Sequence, residues 1–282
     1  MRIVVLTSET PANIWLVNAL MARHDVVGLV IERRPLALSR EDKFERRRKM
    51  IRRYGLVRTL NKLLYNRLRL HLLARSEGEA VSEHFFPGGA TPAYERSVST
   101  VVVENINDPA SADFMKSLAP AVLAVCGTTV LKPEIFSLAP RGAVNIHTGI
   151  TPEYRSADPI FWALYRGEPE KVGVTIHFVD RGIDTGPIIH QQSIPVYADD
   201  SLVSIYTRCI RQGAELFSRA LGQIEDGSIQ TVQRSGVRGR SFRSVDLGLV
   251  QYLLFLARFR WMARRLPRWD GRTAAGKGVI GL

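Results

Sequence analysis

An α/β fold with a mostly parallel central sheet, flanking helices, a basic helical insertion and a C-terminal helical tail is what this sequence predicts, on three observations. Short β-branched runs alternate with stretches of helical spacing, the order that builds a parallel sheet with crossover helices. Polar turns follow the strand-like runs, where open α/β sheets place their ligands. The basic residues are segregated. Residues 33–75 carry fifteen Lys or Arg against three acidic residues, and residues 236–282 carry ten against two. The remaining 14 basic and 22 acidic residues leave the rest of the chain at −8, so the net charge of +12 belongs to two appendages. The expected organisation is a domain over 1–235 that contains the insertion 33–75, followed by a loop and helix over 236–282.

Arg2–Thr7 reads as a buried strand bounded by Ser8, Glu9, Thr10 and Pro11. Ala12–Arg23 has Ile14, Val17, Leu20 and Met21 at helical spacing, and Val26–Ile31 is a second strand. No GxGxxG follows the first strand, which removes the main support for dinucleotide binding. In the insertion, Met50, Tyr54, Val57, Leu60, Leu64, Leu68 and Leu72 recur three or four residues apart. That spacing predicts one or two basic amphipathic helices, divided at Gly55. They either cover the domain with a solvated basic face or contact an anion such as a membrane surface.

Val98–Val103, Ala121–Cys126, Gly142–Ile146, Val172–Asp180, Ile188–Val196 and Ile229–Arg234 read as strands. Ala110–Leu118, Pro133–Leu138, Pro159–Tyr165 and Ser201–Glu225 read as helices, the last capped by Asp199 or Asp200. Asp246–Leu266 mixes Leu, Phe and Trp with Arg258, Arg260, Arg264 and Arg265. Such a helix packs on the domain, joins two subunits or lies on a membrane. Thr273–Leu282 reads as a mobile tail.

With 282 residues, 45% of them hydrophobic and 23% charged, the chain can bury a sizeable core. Cys126 and Cys209 are far apart and lack neighbouring ligand residues, which argues against a metal site and a disulfide framework. The start of the chain enters a strand without a signal-peptide pattern, and Leu247–Ala257 is shorter than the ~20 apolar residues of a membrane span. A cytoplasmic protein is expected.

The chemistry concentrates between Ala143 and Ile189. Asn145 and His147 occupy alternate positions at a strand end and therefore share a face. Asp184 lies in the glycine-containing loop after a later strand and is expected at the same edge. An amide donor, an imidazole and a carboxylate suit chemistry at a carbonyl: Asn145 stabilises an oxyanion, His147 handles a proton, and Asp184 orients or charges His147. No Ser or Cys is placed as a nucleophile, which favours direct transfer over a covalent acyl-enzyme.

The segments NIHTGITPEYRSADPIFWAL and GVTIHFVDRGIDTGPII resemble the folate-dependent formyltransferases, which include glycinamide ribonucleotide transformylases, methionyl-tRNA formyltransferases and sugar N-formyltransferases. The resemblance covers roughly residues 1–32 and 98–225 and implies a Rossmann-like fold. It also implies Asn145, His147 and Asp184 as the catalytic residues and N10-formyltetrahydrofolate as donor. Its pterin would enter a cleft lined by Thr129, Val130 and Leu131 on one loop and Asp180, Arg181, Gly182 and Ile183 on another. Thr148, Tyr154 and Arg155 are the expected acceptor-side residues. This chain departs from the family at Thr148-Gly149, where many relatives have Pro-Ser, and at Ser156, where Gly is usual.

The resemblance implies an amine acceptor. Methionyl-tRNA formyltransferases carry a C-terminal β-barrel where 236–282 reads as loop plus helix, so a nucleotide-linked amino sugar is the expected acceptor and nucleic acid is not expected as a partner. The alternatives are methionyl-tRNA, an amino acid or another small amine, or a non-catalytic protein that binds nucleic acid or membrane on the same fold. Peripheral membrane contact through the basic helices and a homodimer are the further partners considered.

Overall fold

The β-branched run after Arg2 forms β1 (Ile3–Thr7), buried along its whole length at the centre of the sheet. The computed structural model describes residues 1–33, 40–233 and 239–269. Thr10 caps α1 (Pro11–Met21) by accepting from the Asn13 N–H, and α1 leads to β2 (Val26–Glu32). The insertion forms α2 (Arg40–Tyr54), α3 (Leu56–Leu68) and α4 (Ala74–Phe85). Then come β3 (Ser99–Val103), α5 (Pro109–Leu118), β4 (Val122–Cys126), α6 (Pro133–Phe136) and β5 (Ala143–His147). The chain continues through β6 (Tyr154–Ser156), α7 (Pro159–Tyr165), β7 (Gly173–Phe178), β8 (Ile188–Ser193) and α8 (Leu202–Asp226). It closes with β9 (Arg240–Phe242) and α9 (Leu249–Ala263).

The main sheet has the order β3-β2-β1-β4-β5-β7-β8. Its first five strands are parallel, whereas β7 is antiparallel to both β5 and β8. The expected α/β class with a mostly parallel sheet is therefore present. Strand order reverses at β1, so the loops after β1 and β4 diverge and open a crevice at the carboxyl ends of the strands.

Helix α8 covers one face of the sheet. Phe217 lies among Leu216, Ala220 and Leu221 in a fully buried cluster that reaches Val144 on β5 and Val174 on β7. We expect Phe217→Ala to lower unfolding free energy by about 3–5 kcal/mol, read from a denaturant midpoint, because it removes a large side chain from beneath the strands that carry the site.

Three expectations change. Ser201, not Asp199 or Asp200, caps α8; Asp200 instead accepts from the Ser204 hydroxyl and the Arg208 guanidinium. Over Ile229–Gln233 only an isolated bridge forms, Val232 with Ile188, and Arg234 lies outside the described residues. The insertion continues past Arg75 to Phe85, with its helices broken at Gly55 (φ 83°), a left-handed conformation glycine adopts without strain. The C-terminal helix packs on the domain, one of its expected placements: β9 pairs in parallel with β6, and Phe255 of α9 packs on Phe161 of α7 at 5.0 Å between ring centres. The 235/236 boundary and the tail 273–282 lie outside the described residues.

The amphipathic reading of the insertion is correct in period and reversed in direction. On α3 the buried residues are Thr59, Lys62 and Tyr65, while Val57, Leu60 and Leu64 face outward. Sequence periodicity identifies a stripe but not which side of the helix the core occupies.

Candidate active site

The β5–β7 register sets the geometry of the site. It pairs Asn145 with His177 and His147 with Thr175, so two histidines and an asparagine come together on one patch of the sheet. Because β7 runs against β5, the loop after it leaves at the level of Ala143, where the Val179 N–H donates to the Ala143 carbonyl at 2.8 Å. Asp184 meets Asn145 and His147, as expected, but does so because its loop folds back over the sheet. Asp180 holds that fold by accepting from the Gly182 N–H (2.9 Å) and the Thr185 hydroxyl (2.7 Å). Gly186 permits it, since a Cβ there would lie 1.8 Å from the Phe178 carbonyl oxygen. The loop places Asp184, itself at φ 52°, between the two imidazoles.

Asp184 Oδ2 is 3.5 Å from His147 Nδ1, and its Oδ1 is 3.5 Å from His177 Nε2. The other ring nitrogens settle the tautomers. His147 Nε2–H donates to the Tyr154 carbonyl at 3.0 Å, and His177 Nδ1–H donates to the Phe178 carbonyl at 2.8 Å. In the neutral rings, His147 Nδ1 and His177 Nε2 are therefore lone pairs turned toward Asp184. Asn145 Nδ2 donates one hydrogen to His177 Nε2 at 3.2 Å, and its amide carries a second. Two imidazole lone pairs and a carboxylate around one point attract a proton or an N–H group.

Burial pushes the His147 imidazole below its ordinary 6.5, with the nearby His177 acting in the same direction; Asp184 and the Tyr154 carbonyl oppose them. Burial also lowers His24 and His190. Below about pH 6.5 the unfolded chain takes up protons at these three sites that the folded chain resists. Stability is accordingly expected to hold above that value and to fall as pH drops through 6.5 toward the lower folded-state values, read as a declining urea midpoint between about pH 7 and pH 5.

The loop after β5 is tied down from beneath. Thr175 Oγ1 donates to the Gly149 carbonyl (2.6 Å) and accepts from the Thr151 N–H and Gln191 Nε2, and Gln191 Nε2 also donates to the Thr151 carbonyl (2.8 Å). Gly149 itself is required by closeness: a Cβ there would sit 2.7 Å from His147 Nε2 and 2.9 Å from the Tyr154 carbonyl. In this chain the lack of a side chain at Gly149 leaves room for the hydrogen bond that orients His147.

A cleft of about 790 Å³ opens over these residues. Thr129, Val130 and Leu131 form one side, and Asp180, Gly182 and Ile183 the other, with Asn145, His147, His177 and Asp184 at its base. Ser241, Phe242 and Arg243 of the C-terminal extension supply a further wall. Val130 and Ile183 are exposed on opposing loops, a pair of apolar surfaces suited to sandwiching a flat ring. The Thr129 loop is fixed by buried Glu32, whose carboxylate accepts from the Thr129 N–H (2.7 Å), the Thr129 hydroxyl (2.5 Å) and the Ile106 N–H (3.1 Å).

The structure does not bring every expected residue to this cleft. Arg181 is exposed and does not line it. The Tyr154 ring is fully buried with its hydroxyl donating to Glu168 at 2.7 Å, so Tyr154 reaches the site only through its carbonyl. Arg155 lines neither cavity, and its Nε is buried beneath the β9 segment without a hydrogen-bond partner. Thr148 opens into a second cavity of about 550 Å³ walled by Tyr65 and Arg69 of the insertion, Phe161 of α7 and Tyr252 of α9. The two cavities meet where His147 and Ala157 line the first while their chain neighbours Thr148 and Asp158 line the second.

His177, Thr175, Gln191 and Glu32 were not singled out from the sequence. Alternation along Val172–Asp180 places Thr175 and His177 on one face, but only the register shows that this face meets Asn145 and His147.

Residues 89–221 match the family model described as "Formyl transferase". A methionyl-tRNA formyltransferase of Anaeromyxobacter sp. (strain K) is 32% identical over 170 residues, 60% of this chain and 53% of the relative. One from Anaeromyxobacter dehalogenans (strain 2CP-C) is 36% identical over 160 residues, 56% of this chain and 51% of the relative. The chain spans about half the length of these curated relatives. Among solved structures, a phosphoribosylglycinamide formyltransferase from Anaplasma phagocytophilum shares the fold, with a TM-score of 0.54 and 16% identity over 86% of this chain and 99% of that one.

Proposed function

We propose, from the match of residues 89–221 to the formyl transferase model and the geometry of the site, that the chain transfers a formyl group from N10-formyltetrahydrofolate to a primary amine. The observation that carries this reading is the convergence of His147 Nδ1, His177 Nε2 and the Asp184 carboxylate beside Asn145, where a cleft and a second cavity meet. The donor supplies an activated formyl carbon, and the apolar Val130–Ile183 pair with the fixed Thr129 loop would hold its ring.

The residues of the chain account for the remaining work. Asn145 offers its second N–H to the negative charge that develops on the formyl oxygen, while its bond to His177 fixes the amide orientation. His147, neutral and with Nε2–H committed to Tyr154, accepts the acceptor amine's proton at Nδ1. Asp184 stabilises the imidazolium so formed and opposes its escape to solvent. The new N–C bond forms as the bond between the formyl carbon and donor nitrogen breaks, and the proton on His147 returns to that nitrogen. Since the base is neutral His147, kcat/KM is expected to fall on the acid side, with its midpoint below the ordinary 6.5. His147→Gln is expected to abolish that limb together with most of the activity.

As acceptor we propose a nucleotide-linked amino sugar. The second cavity falls within the ~300–1,000 Å³ range of small-molecule sites. Its Tyr65, Phe161 and Tyr252 offer surfaces for a base, Arg69 offers a donor for phosphate, and Asp158 lies at the border with the active site to receive an amine. An aminoacyl-tRNA acceptor is the second reading, favoured by the names of the curated relatives and by the cationic α2. The proposed location is the cytoplasm. Incubation with N10-formyltetrahydrofolate and amino-sugar nucleotides, amino acids or aminoacyl-tRNAs, read by mass spectrometry, tests the reading. A formyl mass gain on a sugar nucleotide supports it, a gain on aminoacyl-tRNA selects the second reading, and no gain on any amine removes both.

A further inference from the structure

The outward stripe of α3 continues onto α9. Val57, Leu60 and Leu64 on α3 and Leu253, Leu254 and Trp261 on α9 are 44–83% exposed, although each is large and apolar. The two helices are joined by their polar edges: Asn61 Nδ2 donates to Gln251 Oε1 at 2.8 Å, and the Val250 N–H donates to Asn61 Oδ1 at 3.0 Å. Two apolar stripes, unpartnered among the described residues, thus lie on adjoining helices. On α9 the arrangement is two-sided. Phe255 and Met262 point into the body, Val250, Leu253, Leu254, Ala257 and Trp261 recur at helical spacing on the opposite face, and arginines flank that outer face.

We propose that this face binds the surface of an anionic lipid bilayer. The charge points to that occupant. Residues 56–68 and 249–269 hold no acidic residue and eight Lys or Arg, of which seven are exposed, Lys62 being turned inward and Arg58 paired with Asp246; α2, which contacts α3, adds a net +5. A second copy of so cationic a face would repel the first, so the partner that covers it must be negative. The centre of the face is aliphatic with one Trp, and its cations lie at the flanks. A bilayer accommodates that arrangement, with Leu and Trp entering the headgroup boundary and Arg side chains reaching back to lipid phosphates. A nucleic acid would leave the Leu and Val side chains without apolar partners. Among the described residues no helix is long and apolar enough to cross a membrane, so the face lies on the bilayer. This inference does not depend on the proposed reaction. If both hold, the inner faces of α3 and α9, which present Tyr65 and Tyr252 to the second cavity, bring that cavity close to the lipid.

Flotation of the full chain with vesicles of phosphatidylcholine alone, or with added phosphatidylglycerol, tests the proposal. Binding is expected only to the anionic vesicles, weakening with salt and accompanied by a blue shift in tryptophan emission. The Leu253→Glu/Leu254→Glu variant is expected to lose at least about tenfold in vesicle affinity with an unchanged circular dichroism spectrum and unfolding midpoint. Arg260→Glu/Arg264→Glu should weaken binding by roughly fivefold per cation removed. Should the α9 variant misfold, Leu60→Glu/Leu64→Glu on α3 gives the same reading. Failure to bind anionic vesicles, or undiminished binding by the folded variants, overturns the proposal. Tight RNA binding or self-association through this face, with vesicles ignored, overturns it in favour of those partners.

Discussion

Asn145→Ala is expected to lower kcat by about 10²–10³-fold, the loss of one preorganised donor to a developing oxyanion. The side chain is half-buried at the base of the cleft and holds no part of the core, so the unfolding midpoint is expected to move little. His147→Ala and Asp184→Asn should each cause losses of similar or greater size. A double substitution should cost far less than the product of the single effects, because the two groups handle one proton at one point. Steady-state kinetics on the three single variants and the His147–Asp184 pair checks this. An active His147→Ala enzyme would remove His147 from the proposed mechanism, and independent, multiplicative losses would remove the shared proton.

Gly186→Ala should be as damaging as loss of Asp184, although it adds one methyl group outside the cleft. The added carbon would meet a backbone oxygen on β7, which cannot rotate away, so the 179–187 segment must move. A shift of about 1 Å in a catalytic group can cost about 10²-fold in rate. The expected signature is a kcat loss of that order, modest destabilisation and little change in donor affinity at the Thr129 side of the cleft. Wild-type turnover by the alanine variant would mean that the loop has another low-energy path and that its tight return does not set the position of Asp184.

Much of the fold was legible because buried strands are short, β-branched and bounded by turn residues, and α7 has the predicted limits. Asn145, His147 and Asp184 were legible for a related reason: polar residues at strand ends and in a glycine-containing loop stand out against apolar runs. What escaped was relational. Strand direction is not encoded in the composition of Val172–Asp180, so neither the His177–Asn145 contact nor the folding back of Asp184 could be read. The outward direction of the stripe on α3 escaped for another reason. An apolar periodicity is the same whether it meets a core or a lipid, and only the buried Thr59, Lys62 and Tyr65 show which side α3 turns inward. Tyr154 was expected to shape the site and meets it through its carbonyl while its ring is buried, a distinction that residue type does not carry.

Glu32 fastens three segments of the chain together. It is the last residue of β2, immediately before the insertion, and its carboxylate is fastened to Ile106 and Thr129. The Thr129 loop is therefore held by the residue from which the insertion departs. The rim of the first cavity and the start of the segment that walls the second thus share one buried carboxylate.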